Sequence, residues 1–355
     1  MKIDVFSDFN KQLEEVWIEF EKDAIMTPFQ CYFWLKEWQN SIGYPLLNMQ
    51  LQIVHIYHGD TTFAILPMGI SKKFGARVLQ WLGGINSDYL GLLINADSYS
   101  SNGLNDIWKD IEDKLNKYDI IHLQKQSQFT VNCMKKIGFH HKEINFLKSY
   151  KVKLSDTWDE HSKRINKKIR NDSIRQEKRL KNIVDLSYKS PKEINLKTEL
   201  VNNMILQKKM RYKQINTWDM FSLDGYKDFY LNLVDVKSHN VEIHCAALYA
   251  NNTMIASHFG LIDKTTFFYL MPAHIGGKWS KYSPGRLLLL ELMKFSIEKG
   301  LKYFDFTVGG EMYKKKFCDL ENNLFEYIKI NSPFGIMYFV VQKLKLLIKK
   351  IGLKK

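Results

Sequence analysis

Asp305, Gly309, Gly310, Glu311, Tyr313 and Lys314 fall close together in the stretch DFTVGGEMYKKKF. Two carboxylates can take a proton, a phenol can give one, and an ammonium can neutralise an anion. Adjacent glycines let a backbone come close to a ligand. A second cluster, Ser283, Pro284, Gly285 and Arg286, stands immediately before the apolar run LLLLELMKF. Proline suits a first helical turn, and the unpaired N–H groups and dipole of a helix start attract anions, to which Arg286 adds a charge. His258, between apolar neighbours in MIASHFGL, is a further candidate base, and Asp88 and Tyr89 are the polar groups of the loop GGINSDY. Each has a plainer alternative. Asp305 can cap backbone N–H groups, Tyr313 can pack, Lys314 can be solvated, His258 can be a satisfied sheet histidine, and GGINSDY can be a tight turn.

The elements that must position these residues recur in one order. EKGLKYFDF predicts a helix end, a stop at Gly300 and a strand over 302–306 that runs into the Gly309-Gly310 turn. Ahead of it, VEIHCAALYANNTMIASHFGLIDKTTFFYLMPA predicts a three-strand meander turning at Asn251-Asn252 and Asp263-Lys264. In residues 1–150, two helices (one within 8–23, with helical spacing at Leu13, Val16, Trp17 and Phe20, and one begun by Thr27-Pro28 and ended near Gly43) precede a hairpin turning at His58-Gly59-Asp60. Strands at ARVLQWLGG and DIIHLQK follow, with helices over 104–118 and 128–139. Helices, a β meander, a helix and a strand thus appear twice, without a residue-level repeat. The expected division is 1–150, a basic connecting helix in 151–186, a second α/β unit over 187–332, and a basic amphipathic C-terminal helix over 333–355.

Composition narrows the class. An apolar fraction of 45% with 25% charged residues is that of a folded protein with ample core. The beginning of the sequence lacks the continuous apolar stretch of a secretory signal, and no run reaches the roughly 18 residues of a membrane span. Cys31, Cys133, Cys245 and Cys318 are scattered with no CxxC pair, which argues against a zinc site or disulfide framework and fits a reducing, cytoplasmic setting. The net charge of +14 is uneven: residues 1–150 hold 15 basic against 17 acidic residues. The surplus gathers in 161–181 and 342–355, which implies an anionic partner. In the final segment, apolar residues from Met337 to Ile351 keep helical spacing among six lysines. Such a helix either docks on its own domain or lies on anionic lipid at the inner face of the membrane, each basic residue there worth roughly 1 kcal/mol.

Taken in order, TPFQCYFWLKEW, FAILPMGI, WLGGINSDYLGLLI, MIASHFGL, YSPGRLLL, GLKYFDF and GGEMYKKKF resemble the acetyltransferase family associated with cellulose and exopolysaccharide biosynthesis (CelD/BcsL). That family is part of the GNAT superfamily and related to Fem-type peptidoglycan aminoacyltransferases. The family's Asp-Phe, two residues, Gly-Asp-Glu-Pro-Tyr-Lys pattern is met at Asp305, Gly309, Glu311, Tyr313 and Lys314, with Gly310 in place of the acid and Met312 in place of the proline.

The resemblance implies an α/β (α+β) fold of two tandem GNAT-like domains, each a mixed β-sheet flanked by helices. It implies acyl-CoA, such as acetyl-CoA, as co-substrate without a metal, and an amino sugar or similar glycan precursor as acceptor. Ser283, Gly285, Arg286 and Lys314 would then hold the donor's phosphates. Asp305, Glu311 or His258 would be the base, Tyr313 the proton donor or acceptor guide, and Asp88 and Tyr89 acceptor contacts. An aminoacyl-tRNA-dependent transferase, with tRNA phosphates along the basic helix, is the second expectation, and a non-catalytic membrane-associated scaffold the third.

Overall fold

A computed structural model describes residues 1–97, 106–139 and 144–352. The chain begins with β1 (Lys2–Phe6), α1 (Lys11–Phe20), α2 (Tyr32–Trp38), β2 (Gln50–His58), β3 (Thr61–Lys73) and β4 (Ala76–Trp81). It continues through β5 (Ile120–Gln126), α3 (Gln128–Lys136), β6 (Ile144–Lys153), α4 (Trp158–Arg164) and α5 (Lys167–Lys181). Next come β7 (Leu186–Lys189), α6 (Ile194–Gln214), α7 (Asp224–Leu233), β8 (Glu242–Ala250), β9 (Thr253–Ile262) and β10 (Thr266–His274). The last elements are α8 (Pro284–Glu298), β11 (Tyr303–Val308), β12 (Leu320–Ile330) and α9 (Pro333–Gly352).

Contacts divide these into two compact units, Met1–Leu147 with Asn323–Lys355, and Lys148–Asn322. The first is therefore discontinuous, and the division differs from the boundaries expected from sequence. Its strands lie in the order β1-β2-β3-β4-β5-β12. β1 to β4 pair antiparallel in turn, β4 and β5 pair parallel at Val78↔Ile120, and β12 returns antiparallel on β5 at Leu123↔Tyr327. The second unit repeats this plan as β7-β8-β9-β10-β11-β6. Its meander is antiparallel, β10 and β11 are parallel, and β6 closes antiparallel on β11. Both units are mixed sheets flanked by helices.

Local sequence explains the joints. Gly300, at φ +77°, ends α8 where a side chain would be strained, and Asn251, at φ +53°, turns β8 into β9. Asp263 accepts from the N–H groups of Thr265 and Thr266 at 2.8 Å, fixing the next turn. The second core is aromatic: Phe267 and Phe304 stack at 4.9 Å, and Phe306 meets Phe304 at 5.0 Å. Leu288, Leu292 and Met293 of α8 pack into the same cluster, each contributing roughly 1.5–3 kcal/mol on burial.

Three expectations change in detail. The span 158–181 is two helices broken at Ile165–Asn166, because Asn166 caps α5 through a bond to the Lys168 N–H. It is not a free connector, since Ile165 and Leu180 are buried and Ile169 packs against the second unit's core. In the first unit, the segment opened by Thr27 is a short 3-10 turn over Pro28–Gln30 and then α2. Of the helix expected over 104–118, Trp108–Glu112 is helical, and residues 104 and 105 lie outside the described residues.

Candidate functional site

The second unit's sheet opens in its middle. β10 and β11 pair only over Thr266↔Tyr303, Phe267↔Phe304 and Phe268↔Asp305. Beyond Phe268, β10 stays with β9 through His274, while β11 follows β6 to Val308. A bulge between Asp305 and Thr307 drives the parting. Thr307 sits at φ +58°, and Asp305 Oδ1 accepts from its N–H at 2.7 Å. On the other strand a bulge at Phe259/Gly260 shifts register, and Pro272 offers no N–H to a ladder.

A cavity of about 540 Å³ is lined by five elements around this opening. α6 contributes Gln207, Lys208, Arg211 and Tyr212; β10 contributes Tyr269, Pro272, Ala273 and His274; and Ser257 comes from β9. The start of α8 adds Ser283 to Arg286, Leu288 and Leu289, and the segment after β11 adds Glu311, Tyr313 and Phe317. Three cations, Lys208, Arg211 and Arg286, face one carboxylate, so the cavity favours anions.

Ser283 takes a left-handed conformation (φ +53°) so that Pro284 can begin α8, and its carbonyl accepts from the N–H groups of Arg286 (2.9 Å) and Leu287 (3.1 Å). A Cβ on Gly285 would come within 3.0 Å of the His274 ring, so only glycine leaves that wall open. Arg286 is braced by Asp172 of α5. The Arg286 and Arg175 guanidiniums beside Asp172 hold its carboxyl below the usual range. Arg286 Nε is buried with no hydrogen-bond partner among the described residues, so it leaves one donor for which the fold itself gives no acceptor.

The glycine turn has one buried charge at its centre. Lys314 Nζ donates to the Val308 carbonyl at 2.7 Å and meets Glu311 Oε2 at 3.1 Å, with the lysine side chain 6% exposed and that of Glu311 57% exposed. Gly309, at φ +150°, packs so closely that a Cβ would run into both Glu311 and Lys314. Lys314 therefore clamps the turn rather than lining the cavity as a phosphate ligand.

Proton chemistry is set by burial. Desolvation and neighbouring Glu311 push the Tyr313 phenol up, and burial does the same to Tyr269, so both stay protonated as donors. Lys208, partly exposed on the cavity wall, is pushed down to about 8 by desolvation, opposed by Glu311 and aided by Lys314. Gln207 is locked by Nε2–H donation to Met254 O at 2.9 Å and by acceptance from Ser257 Oγ at 2.8 Å.

Of the residues singled out from sequence, Ser283, Gly285, Arg286, Glu311 and Tyr313 meet in the cavity. Asp305 does not; it is buried and serves the bulge. His258 is fully buried, stacked on Tyr269 at 4.6 Å and outside the cavity lining. Asp88 and Tyr89 belong to the first unit. There Lys125 pegs the loop by donating to the carbonyls of Gly84, Ile85 and Ser87, with Asp88 3.9 Å from its ammonium. Tyr89 packs against Phe29 with ring centres 5.9 Å apart. Sequence reasoning missed Lys208, Arg211, Tyr212 and Tyr269. The first three, with Gln207, share one face of α6 by their i, i+1, i+4, i+5 spacing, a signal visible in KKMRY. Among the described residues no group of three or more His, Cys, Asp or Glu could hold a metal ion.

Residues 167–315 match the family model of the acetyltransferase (GNAT) domain. The second unit is thus a GNAT-type acyltransferase domain. Among solved structures the chain is similar to FemX, with 10% identity, 93% of this chain and 98% of that one covered, and a TM-score of 0.63. It is also similar to L-PGS from Bacillus licheniformis (10% identity, 96% and 98% covered, TM-score 0.56). A third likeness is a conserved protein of unknown function from Bacteroides thetaiotaomicron (11% identity, 93% and 100% covered, TM-score 0.52). At such identities these likenesses bear on the fold, and they extend over both units. No curated protein matches the chain.

Proposed function

We propose that the protein is an acyl-CoA-dependent N-acyltransferase, acting on an amino sugar or related precursor of a surface polysaccharide. The observation that carries this reading is the parting of β10 from β11 beside a cationic cavity at the start of α8. An extended arm bearing amide groups can pair with the opened strand edges as an added strand would, while its phosphates lie against Arg286, Arg211 and the helix start. Bound acyl-CoA would supply the activated thioester.

The chain's own residues do the rest. Arg286 Nε, buried and without a partner among the described residues, has a donor for a phosphate oxygen. Tyr269 and Tyr313 present protonated phenols, fitted to polarise the carbonyl and to protonate a leaving thiolate. Lys208, titrating at about 8, can accept the proton an attacking amine sheds. The apolar side chains of Leu288, Leu289 and Phe317 exclude water from the thioester. The amino-sugar acceptor rests on the resemblance to the polysaccharide-biosynthesis acetyltransferases through DFTVGGEMYK and its companion motifs.

Calorimetric titration with CoA and acetyl-CoA tests the reading. Micromolar binding by the parent, abolished in Gly285→Val and weakened at least tenfold in Arg286→Ala, is expected, since a charge-assisted contact contributes roughly 1.5–3 kcal/mol. No binding of either nucleotide by the folded parent refutes it.

An aminoacyl-tRNA donor is the second reading. The exposed positive face of α5, on which Lys167, Lys168 and Lys178 are exposed, favours it. It requires tRNA binding that falls steeply with salt and is lost in Lys167→Glu/Lys168→Glu.

A further inference from the structure

α9 turns its apolar side outward. Its inner face is short: Gly335 lies against the Asp119 carbonyl, and Tyr338 is buried with Ala76, Val78 and Ile120 while donating its hydroxyl toward His122 Nδ1 at 2.7 Å. On the opposite face Ile336, Val340, Leu344 and Leu347 recur at intervals of four, four and three, so they form one stripe, widened by Met337 and Ile348. All six are between 44% and 68% exposed. Phe74, 43% exposed on the β3–β4 turn, extends the stripe, since Met337 lies against the neighbouring Gly75.

A stripe this long and apolar needs a partner, and charge says which. Lys343 borders it on one side; Lys345 borders it on the other, its ammonium 4.2 Å from the Phe74 ring centre. Residues 333–355 contain six lysines and no Asp or Glu. A second copy docking face to face would therefore bring like charges together. A surface carrying negative charges at its polar level and hydrocarbon beneath satisfies both the lysines and the stripe. The helix is suited to lie on such a surface, since among the described residues no helix is long and apolar enough to cross a membrane.

We propose that α9 and the Phe74 turn form a docking face for a bilayer surface bearing anionic lipid. The helix is held to the first unit by Gly335 and Tyr338 and inserts Ile336, Val340, Leu344 and Leu347 among the acyl chains. The inference is independent of the acyl donor, because it concerns elements of the first unit alone.

Flotation of the full chain with phosphatidylcholine vesicles, with and without phosphatidylglycerol, tests it. The parent should float with the anionic vesicles only, and less as salt rises. Leu344→Asp/Leu347→Asp should abolish flotation. Lys345→Glu should weaken it by about fivefold or more, from roughly fivefold for each lysine removed. Both variants alter outward positions, so parental circular dichroism and thermal midpoint are expected and are checked first. Lack of flotation with either vesicle overturns the proposal. So does equal binding by parent and variants, or equal binding to neutral vesicles. A parental dimer in sedimentation that dissociates in Leu344→Asp/Leu347→Asp, without vesicle binding, also overturns it and assigns the face to a second copy.

Discussion

Lowering the pH from 7 to 5 should unfold the second unit's sheet well before the first's. The cause is three buried neutral histidines: His161, His244 and His258 are 1%, 3% and 0% exposed. Burial, then Lys197 and Lys299, pushes His244 down to about 3; burial, then Arg164, brings His161 to about 4; and burial, then His244 and Lys208, holds His258 well below its usual value. Each is protonated in the unfolded chain below about 6.5 but stays neutral in the fold, so stability is lost as pH falls below that value. At pH 5 the unfolded form gains about 2 kcal/mol per histidine, or about 6 from the three, of which Glu291, raised by burial in the same unit, offsets a part. That is comparable with the whole stability of a domain, roughly 5–15 kcal/mol. The first unit behaves differently. His55 there is also lowered by burial, but Glu21, raised by burial to about 7, is stabilised as acid is added and offsets it. Hydrogen–deuterium exchange at both pH values, corrected for intrinsic rates, should show protection lost in peptides of β8–β11 and retained in those of β2–β5. His258→Phe keeps a ring on Tyr269 and removes one titration, so the pH slope should fall by about a third. An unchanged slope, or resonances of His161, His244 and His258 titrating near 6.5 in the folded protein, would refute the reasoning.

Two further outcomes follow from the cavity. Lys314→Met removes the donor to Val308 O and leaves that carbonyl unpaired, so stability should fall by about 1–3 kcal/mol, with faster exchange at Gly309–Glu311; no change in either would disprove the clamp. If Lys208 takes the amine's proton, the turnover rate should rise through a pH of about 8, and Lys208→Met should flatten that limb while nucleotide affinity changes less. A limb that persists in the variant places the base elsewhere.

Much of this was legible in the chain, for local reasons. The meander turns at Asn251 and Asp263, the stop at Gly300 and the turn at Gly309 are each dictated by a residue's own backbone preference or side-chain bond, so spacing alone reveals them. The opposite holds for Lys314. Three consecutive lysines read alike, and only the carbonyl of Val308 and the carboxylate of Glu311 select one for burial. Asp305 and His258 failed as cavity residues because strand alternation shows which residues share a face but not which face the ligand side is. Lys208 and Arg211 escaped notice because α6 mixes polar and apolar residues on most sides. The pairing of β5 with β12 joins residues about 200 apart, and no local pattern announces it.

That pairing imposes an order on synthesis. The second unit is one continuous stretch and is complete once residue 322 has left the ribosome. The first unit, begun at residue 1, must wait for Asn323–Ile330 to cover β5, whose Ile121 and Leu123 would otherwise border an open strand edge. Folding of the earlier-made half is thus finished last, and a chain released short of β12 would keep an adhesive edge that a chaperone or a protease must manage.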